Sequence, residues 1–467
     1  MLIDPALAHA ALEAKDRRFD GLFFIGVTST GIYCRCVCSA RTPKRENRTF
    51  HLSAAAAEKA GFRPCLLCRP ERAPGLAPID AAQRLAAQAL ARIEAGALEE
   101  QGLEEIAADL GVTGRHLRRV MGETFGASPI EIAQTCRLLT AKRLLRETDL
   151  PITEIAFASG FRSVRRFNAI VQERYGLTPQ RLRGRRAAAK SDVLTLTFAA
   201  RGAYRSAPIF EFLARRALPG LENASSRRYA RTLSIGGAVG WIDAAPAAHG
   251  LSLTISDGLA PALRPLTAAV RGAFDLDVDS GTIDAHLSGL GGEKGVRIAG
   301  GLDGFEIAAR AILGQQVSLR AARGLAARLV QKFGAPIEGA PAPLTTLFPT
   351  SARIAEAGAQ AIAALGMPAR RAETLHRVAR AHAEGALKLE RGAIAAGRAG
   401  LAEIPGVGPW TIEYIAMRAL GDPDAYPAAD AVLRAQPEAQ EAERWRPWRA
   451  YGAVRLWRRA AQQGKKP

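Results

Sequence analysis

The chain has 467 residues, too many for a single hydrophobic core and enough for three or four domains. Hydrophobic residues make up 48%, so the chain reads as globular, and no apolar run reaches the roughly eighteen residues that a membrane span needs. Lys and Arg outnumber Asp and Glu by 64 to 45, a net charge of +19 that points to a polyanionic partner, nucleic acid above all, although a soluble Arg-rich protein has the same balance.

Residues 1–20 mix acids and bases where a secretion signal needs an apolar centre, so a cytoplasmic location is expected. Thiols stay reduced there, and clustered cysteines mean metal binding or chemistry more often than disulfides. Five of the six cysteines fall in residues 1–73. Cys34-x3-Cys38 and Cys65-x2-Cys68 can supply four thiolates to one Zn²⁺ ion, whereas Cys36 leaves the membership of the first pair open on spacing alone. A plain structural clasp, a reactive thiol site and a redox pair involving Cys36 all remain compatible with that spacing.

The residues around the cysteines carry more. TGIYC, CSAR, RENRTF and AGFRPCLLCRPE together resemble the zinc-binding domain of the Ada-type alkylation regulators. The resemblance implies Cys34, Cys38, Cys65 and Cys68 as zinc ligands, with Cys34 the acceptor of a methyl group from a methylphosphotriester in DNA. A zinc-bound thiol is deprotonated and nucleophilic. Methylating one sulfur removes a negative charge, which lowers repulsion with phosphate and can switch DNA affinity. A thioether is a poor leaving group, so the event is expected once per protein. Arg45, with its neighbours Arg41, Lys44 and Arg48, is the candidate for holding the DNA backbone, although any of these can be a solvated surface charge.

APGLAP (73–78) reads as a linker, and helical periodicity then runs to the basic stretch RLRGRRAAAK (181–190). Leu103, Ile106, Ala107 and Leu110 share a face, Gly111 turns, and Thr113 caps a helix carrying Leu117, Val120 and Met121. Ile152, Ile155 and Ala156, the turn at Gly160, the cap Ser163, then Phe167 and Ile170 repeat the plan, with one long helix between the two units. Cys136 on that helix reads as a small hydrophobe. Two such units followed by YGLTPQRLR resemble the AraC-type DNA-binding domain. The resemblance sends the second helix of each unit into successive major grooves. Arg115, His116, Arg118 and Arg119 are the contact candidates in the first, and Arg162, Arg165, Arg166 and Asn168 in the second.

From residue 192 the pattern alternates as strands in VLTLTF, RTLSIGGAVGWIDA and LSLTISDG, and helices dominate from about 303. In LAEIPGVGPWTIEYIAMRALGDPDAYPAAD (401–430), Gly406-Val407-Gly408 separates two apolar helices and can present backbone N–H groups to phosphate. This stretch resembles the helix-hairpin-helix glycosylases, and residues 192–467 as a whole resemble the AlkA-type 3-methyladenine DNA glycosylase II, through FEFLARRALPGLE, YARTL, FEIAARAILGQQVS, LGMPARRAETL and ERWRPWRAYGAVRLW. The resemblance makes Asp430 the catalytic carboxylate, with Asp422 and Asp424 as loop acids. It places Phe212, Trp410, Tyr414 and Trp457 in an aromatic pocket for a flipped alkylated base, where cation–π contact favours a cationic lesion. Trp410 stands where strand-cutting relatives carry Lys, so a monofunctional, hydrolytic enzyme is expected. Gln316 stands where an apolar wedge is usual, and the connection from 431 to 444, with Pro437, looks short.

The expected architecture is multidomain α+β. It comprises a small zinc α/β domain (1–73), an all-α AraC-type tandem helix-turn-helix domain (79–184), an antiparallel-sheet α+β domain (192–301) and an all-α helix-hairpin-helix glycosylase domain (302–467). The expected activity joins base excision and adaptive-response regulation in one chain. A transcription factor whose C-terminal half only binds DNA, or a zinc-thiol redox sensor, are the alternatives. Expected cofactors are one Zn²⁺ and a monovalent cation at the hairpin, with no organic cofactor. Expected partners are double-stranded DNA, alkylated and promoter, and RNA polymerase, with no membrane. The protein is expected to be a monomer in the bacterial cytoplasm, at the nucleoid. No Pro-Cys-His-Arg segment for O6-alkylguanine chemistry occurs.

Overall fold

The structure, a computed structural model, describes residues 5–16, 19–73, 84–184 and 193–463. The expected linker at 74–78 and the end of the basic stretch, 185–190, lie outside the described residues.

The N-terminal unit is a four-stranded sheet in the order β3-β1-β2-β4, with β1 Phe24–Val27, β2 Ile32–Arg35, β3 Arg48–His51 and β4 Arg63–Pro64. β1 pairs antiparallel with β2, setting Ile25 opposite Cys34, and β4 joins β2 in parallel through Ile32 and Tyr33. The short helix Ala54–Lys59 covers it, with Ser53 Oγ accepting the Ala56 N–H at its start. The same hydroxyl donates to Phe125 O at 2.9 Å, which ties the sheet to the helices that follow.

Those helices follow from local signals. Thr113 Oγ1 accepts from His116 N at the start of Gly114–Phe125, and Ser163 Oγ from Arg166 N at the start of Val164–Tyr175. Gly111 and Gly160 make the turns at φ +73° and +86°, a left-handed conformation that side chains resist. Between the two units, Pro129–Glu147 begins with a reciprocal Ser128–Glu131 capping box. The second unit then shares one apolar core with the next sheet, where Leu138, Ile155 and Phe167 cluster with Leu196, Phe198 and Ile255.

That sheet is fully antiparallel, in the order β5-β9-β8-β7-β6. Its strands are β5 Val193–Ala199, β6 Glu222–Ser225, β7 Arg228–Ile235, β8 Ala238–Ala247 and β9 Gly250–Ser256. Alternation buries Leu194, Leu196 and Phe198 of β5 on one face, against the helix Leu263–Ala273 and its neighbours. Arg231 of β7 binds Glu306 at 2.7 Å, and Arg310 binds both Glu306 and Glu222, so a buried ionic cluster joins the sheet to the all-helical C-terminal unit. The molecule is therefore multidomain α+β, and among the described residues no helix is long and apolar enough to cross a membrane.

In the C-terminal unit the hairpin connects Ile394–Ala402 to Pro409–Ile415, which runs on as a π-helical turn over Ala416–Leu420. The connection after Asp430 holds more helix than its sequence suggests. Ala431–Arg434 is one α-turn, and Pro437 starts a 3₁₀ stretch to Trp445, because proline fits the first position of a helix.

Candidate functional site

The four cysteines Cys34, Cys38, Cys65 and Cys68 converge, with their sulfurs all within 4.8 Å of one another. A tetrahedral zinc–thiolate site needs sulfurs about 3.8 Å apart, so this donor set fits Zn²⁺. The knuckle is held to the sheet by Cys65 N donating to Tyr33 O at 3.0 Å. Backbone N–H groups also reach the sulfurs: Leu67 and Cys68 donate to Cys65 Sγ at 3.3 and 3.5 Å, and Arg35 donates to Cys68 Sγ at 3.3 Å. The Ala40 peptide helps to lower the Cys38 thiol, after the larger effect of its bond to Cys34, to about 7. Hydrogen bonding to the other three sulfurs raises the Cys34 thiol.

Cys36 stands apart. β2 ends at Arg35, and Cys36 packs into a core with Ala8, Leu12, Phe23 and Ile25, on the face of the sheet that Cys34 shares through its pairing with Ile25 but outside the four-sulfur cluster. Its thiol, fully buried, donates to Asp16 O at 3.4 Å, and burial pushes its pKa up to about 12. That explains the extra cysteine as packing, and it counts against Cys36 as a redox partner.

Behind the knuckle lies a set of buried charges that the sequence did not announce. Lys142, on the Pro129–Glu147 helix, is fully buried, donating to Cys65 O at 2.8 Å and to Glu71 at 2.9 Å. Glu71 also meets Arg69 at 2.9 Å, Arg69 meets Glu147 at 2.8 Å, and Glu147 meets Arg143 at 3.1 Å. Arg143 then donates to Thr197 O of β5.

The DNA candidates in the N-terminal half lie on open surface. Arg45 is exposed, 3.9 Å from Glu13, whereas Arg48 is tied to Glu13 and to Pro43 O. Arg115, Arg119, Arg165 and Arg166 are exposed, as is Asn168, and His116 is half-buried. Arg119 leans on His116 at 3.2 Å and on Glu123, Arg118 on Glu104, and Arg162 donates to Glu99 O at 2.8 Å. Cys136 is partly buried and packs against the first helix-turn-helix core.

In the C-terminal half, Asp430 caps the turn Ala431–Arg434. Its Oδ1 accepts from Val432 N (3.0 Å), Leu433 N (3.1 Å) and Trp457 Nε1 (2.9 Å), and its Oδ2 from Trp410 Nε1 (2.9 Å). Oδ1 is thus saturated, and Oδ2 keeps a lone pair free. Trp410 stacks on Tyr414, ring centroids 5.0 Å apart at 13°. Phe212 lies beneath the guanidinium groups of Arg216 and Arg418, neither of which sequence reasoning singled out.

The hairpin is braced from the other side. A Cβ on Gly406 (φ +92°) would fall 2.0 Å from Thr374 Oγ1, so only glycine fits. Gln315 Nε2 donates to Gly406 O at 3.1 Å and to Thr411 Oγ1 at 3.0 Å, while Arg371 donates to Gln315 O at 2.6 Å. Gln316, next in the chain, projects exposed at φ +54° from this fixed turn. Gly408 is the N-cap of Pro409–Ile415, with open space around its Cα.

Four family models match the chain in order: "Metal binding domain of Ada" over residues 8–71, "Helix-turn-helix domain" over 106–185, "AlkA N-terminal domain" over 195–303, and "HhH-GPD superfamily base excision DNA repair protein" over 309–443. The chain is 37% identical to the "Probable bifunctional transcriptional activator/DNA repair enzyme AlkA" of Mycobacterium tuberculosis, across 96% of this chain and 95% of that protein. It is 36% identical to "DNA-3-methyladenine glycosylase 2" of Escherichia coli across 53% of this chain and 90% of that one. It is 30% identical to the "Bifunctional transcriptional activator/DNA repair enzyme AdaA" of Bacillus subtilis across 37% of this chain and 80% of that one.

Proposed function

The chain belongs to the family of bifunctional transcriptional activator/DNA repair enzymes that join an Ada metal-binding domain to an AlkA-type glycosylase, and from that premise we propose that it excises alkylated bases such as 3-methyladenine from DNA and senses methylphosphotriesters through Cys34. The observation that carries the excision reading is Asp430, clamped by two indole N–H groups and two peptide N–H groups with one oxygen lone pair left open. In this reading Gly406 and Gly408 take the backbone phosphate, Gln316 enters the gap left by the flipped nucleotide, and the stacked Trp410–Tyr414 pair forms the pocket wall. Asp430 Oδ2 faces the positive charge that develops at C1′ and orients the attacking water. With Trp410 in place of an amine nucleophile, water alone completes the reaction. The Pro405 and Gly406 carbonyls accept one hydrogen bond each, from Thr374 and Gln315, and their second lone pairs are the candidate ligands for a monovalent cation.

Trp457→Phe keeps the ring but removes one donor from Oδ1. Base release is expected to fall about tenfold with DNA affinity unchanged, read in single-turnover assays on methylated duplex. An unchanged rate would mean that the remaining donors hold the carboxylate unaided.

In the N-terminal half the four cysteines would hold Zn²⁺, which when bound keeps their thiols deprotonated. A hydrogen bond to a thiolate lowers its nucleophilicity, and the backbone N–H groups around the cluster serve Cys65, Cys68 and, through Ala40, Cys38. The Cys34 sulfur attacks the methyl carbon of the triester: an S–C bond forms, the C–O bond breaks, and the phosphate leaves as a diester anion. After exposure to methylphosphotriester DNA, mass spectrometry is expected to find one added methyl per protein, on Cys34. A methyl on Cys38, Cys65 or Cys68 would overturn the argument from hydrogen bonding, and one on Cys36 would overturn its assignment to the core. As a regulator the protein would carry this signal to promoter DNA through Arg45, Arg115, His116, Arg119, Arg162, Arg165 and Arg166. It would act as a cytoplasmic monomer that meets RNA polymerase there. Assay of bases released from methylated DNA tests the reading as a whole, since a regulator that only binds DNA would release none.

A further inference from the structure

The tip of the cysteine knuckle is apolar. Exposed large hydrophobic side chains are few among the described residues, and only two of them adjoin in the chain, Leu66 at 49% and Leu67 at 62%. They occupy the turn between Cys65 and Cys68. The turn does not need these side chains, because its backbone makes the bonds to sulfur: Leu67 N and Cys68 N both donate to Cys65 Sγ. Single leucines scattered over a surface call for no explanation, but an exposed pair inside a ligand turn asks for one.

The four sulfurs are not equally covered. Cys38 and Cys65 are buried, whereas Cys34 and Cys68 are half-buried. The open sulfurs are thus Cys34, the acceptor in the reading above, and Cys68, into which the two leucines lead, and all four lie within 4.8 Å of one another. A substrate that reaches the Cys34 sulfur from solvent therefore arrives beside the Leu66–Leu67 turn. Cations that touch the knuckle are engaged behind it: Arg35 on Asp20 and Cys68 O, and Lys142 on Cys65 O and Glu71. Arg69, next after Cys68, is held by Glu71 and Glu147. Exposed Arg41, Lys44 and Arg45 follow Cys38 and exposed Arg63 precedes Cys65, so charge that attracts DNA is at hand, but the turn itself carries none.

An ordinary phosphodiester is negatively charged, and four thiolates around one Zn²⁺ carry net negative charge as well, so the two repel. Against leucine a diester also loses water without gaining a partner. A methylphosphotriester has no charge and presents a methyl group, which an apolar surface favours. We propose that Leu66 and Leu67 form an apolar lip beside Cys34 that seats the methylated phosphate and turns ordinary phosphates away, so that the site selects a neutral ester among a large excess of charged ones. The proposal rests on the methyl-acceptor reading. As the bond from Cys34 sulfur to the methyl carbon forms, the C–O bond breaks with its electron pair staying on the phosphate oxygen. The product diester regains its charge, and the lip that admitted the triester no longer holds it.

The test uses the full-length, zinc-loaded protein, the double variant Leu66→Ser, Leu67→Ser and the apolar replacement Leu66→Met, Leu67→Met. Three quantities are read: the rate of Cys34 methylation by a duplex with a single methylphosphotriester, the rate of Cys34 methylation by methyl iodide without DNA, and affinity for undamaged duplex. The serine variant is expected to lose about tenfold on the triester, with the methyl iodide rate within about twofold of wild type, and methionine to restore most of the loss. Its affinity for undamaged duplex is expected to hold or rise. The retained methyl iodide rate shows that fold and metal are intact. Equal losses on triester and methyl iodide would make the leucines a cover for the metal and overturn the proposal. An undiminished triester rate would overturn it too, as would weaker binding to undamaged duplex, which would make the pair a general DNA contact. Wild-type protein that reacts with methyl iodide but takes no methyl from the triester would remove the methyl-acceptor reading itself.

Discussion

Asp430→Asn is expected to abolish measurable base release while binding to undamaged duplex stays within about twofold, because the substitution removes charge but not shape. The carboxylate accepts four hydrogen bonds, three on Oδ1 and one on Oδ2. An asparagine can place its single oxygen where the three donors converge, but its NH₂ then faces the Trp410 indole N–H, donor against donor. The reverse orientation sets NH₂ against two peptide N–H groups and Trp457, which is worse. The mismatch costs about 1–3 kcal/mol locally, and the loss of negative charge opposite C1′ removes a hundredfold to a thousandfold or more in rate. Single-turnover release of 3-methyladenine, with duplex affinity measured alongside, separates the two effects. Undiminished release would move the chemistry to another group, and the nearby acids are poor candidates. Asp422 is paired with Arg398 at 2.9 Å, and Asp424 is buried between Arg446 and Arg449.

What the sequence disclosed follows the range of the interactions. Thr113 and Ser163 were readable as caps because the N–H each accepts lies three residues on. The meeting of Cys34 and Cys38 with Cys65 and Cys68 was readable because two short-spaced pairs serve one tetrahedron, and the flanking residues supported it. Cys36 was not, since spacing counts residues and does not show that this thiol packs among Ala8, Leu12 and Phe23. In the C-terminal half, Asp430 was nominated by its place after the hairpin, but its two indole donors come from 20 and 27 residues away, and no local pattern marks them. Lys142 sits in a helix whose basic residues read as solvated, and its burial depends on a partner that the chain brings back from elsewhere, Glu71, 71 positions earlier.

Lys142→Met should be the most destabilising single change in the N-terminal half, at about 3–5 kcal/mol, because it leaves Glu71 buried with one cation where it had two. Methionine fills nearly the same volume, so the loss is electrostatic and not a cavity. It also strips the donor from the carbonyl of Cys65, whose own sulfur is one of the four in the cluster. Zinc should therefore pass to a chelator faster from the variant than from wild type, alongside a lower midpoint of thermal unfolding. The double variant Lys142→Met, Glu71→Gln should recover part of the stability, since it removes the stranded charge, but not the zinc retention, since the Cys65 carbonyl stays unpaired. That divergence separates a support for the metal knuckle from a generic buried ion pair. The chain of contacts continues through Arg69, Glu147 and Arg143 to Thr197 O at the edge of the C-terminal half. If the link matters only for folding, base release by folded Lys142→Met will match wild type at low temperature. If methylation at Cys34 is also felt through it, the variant will keep its base-release rate but lose any difference between methylated and unmethylated protein.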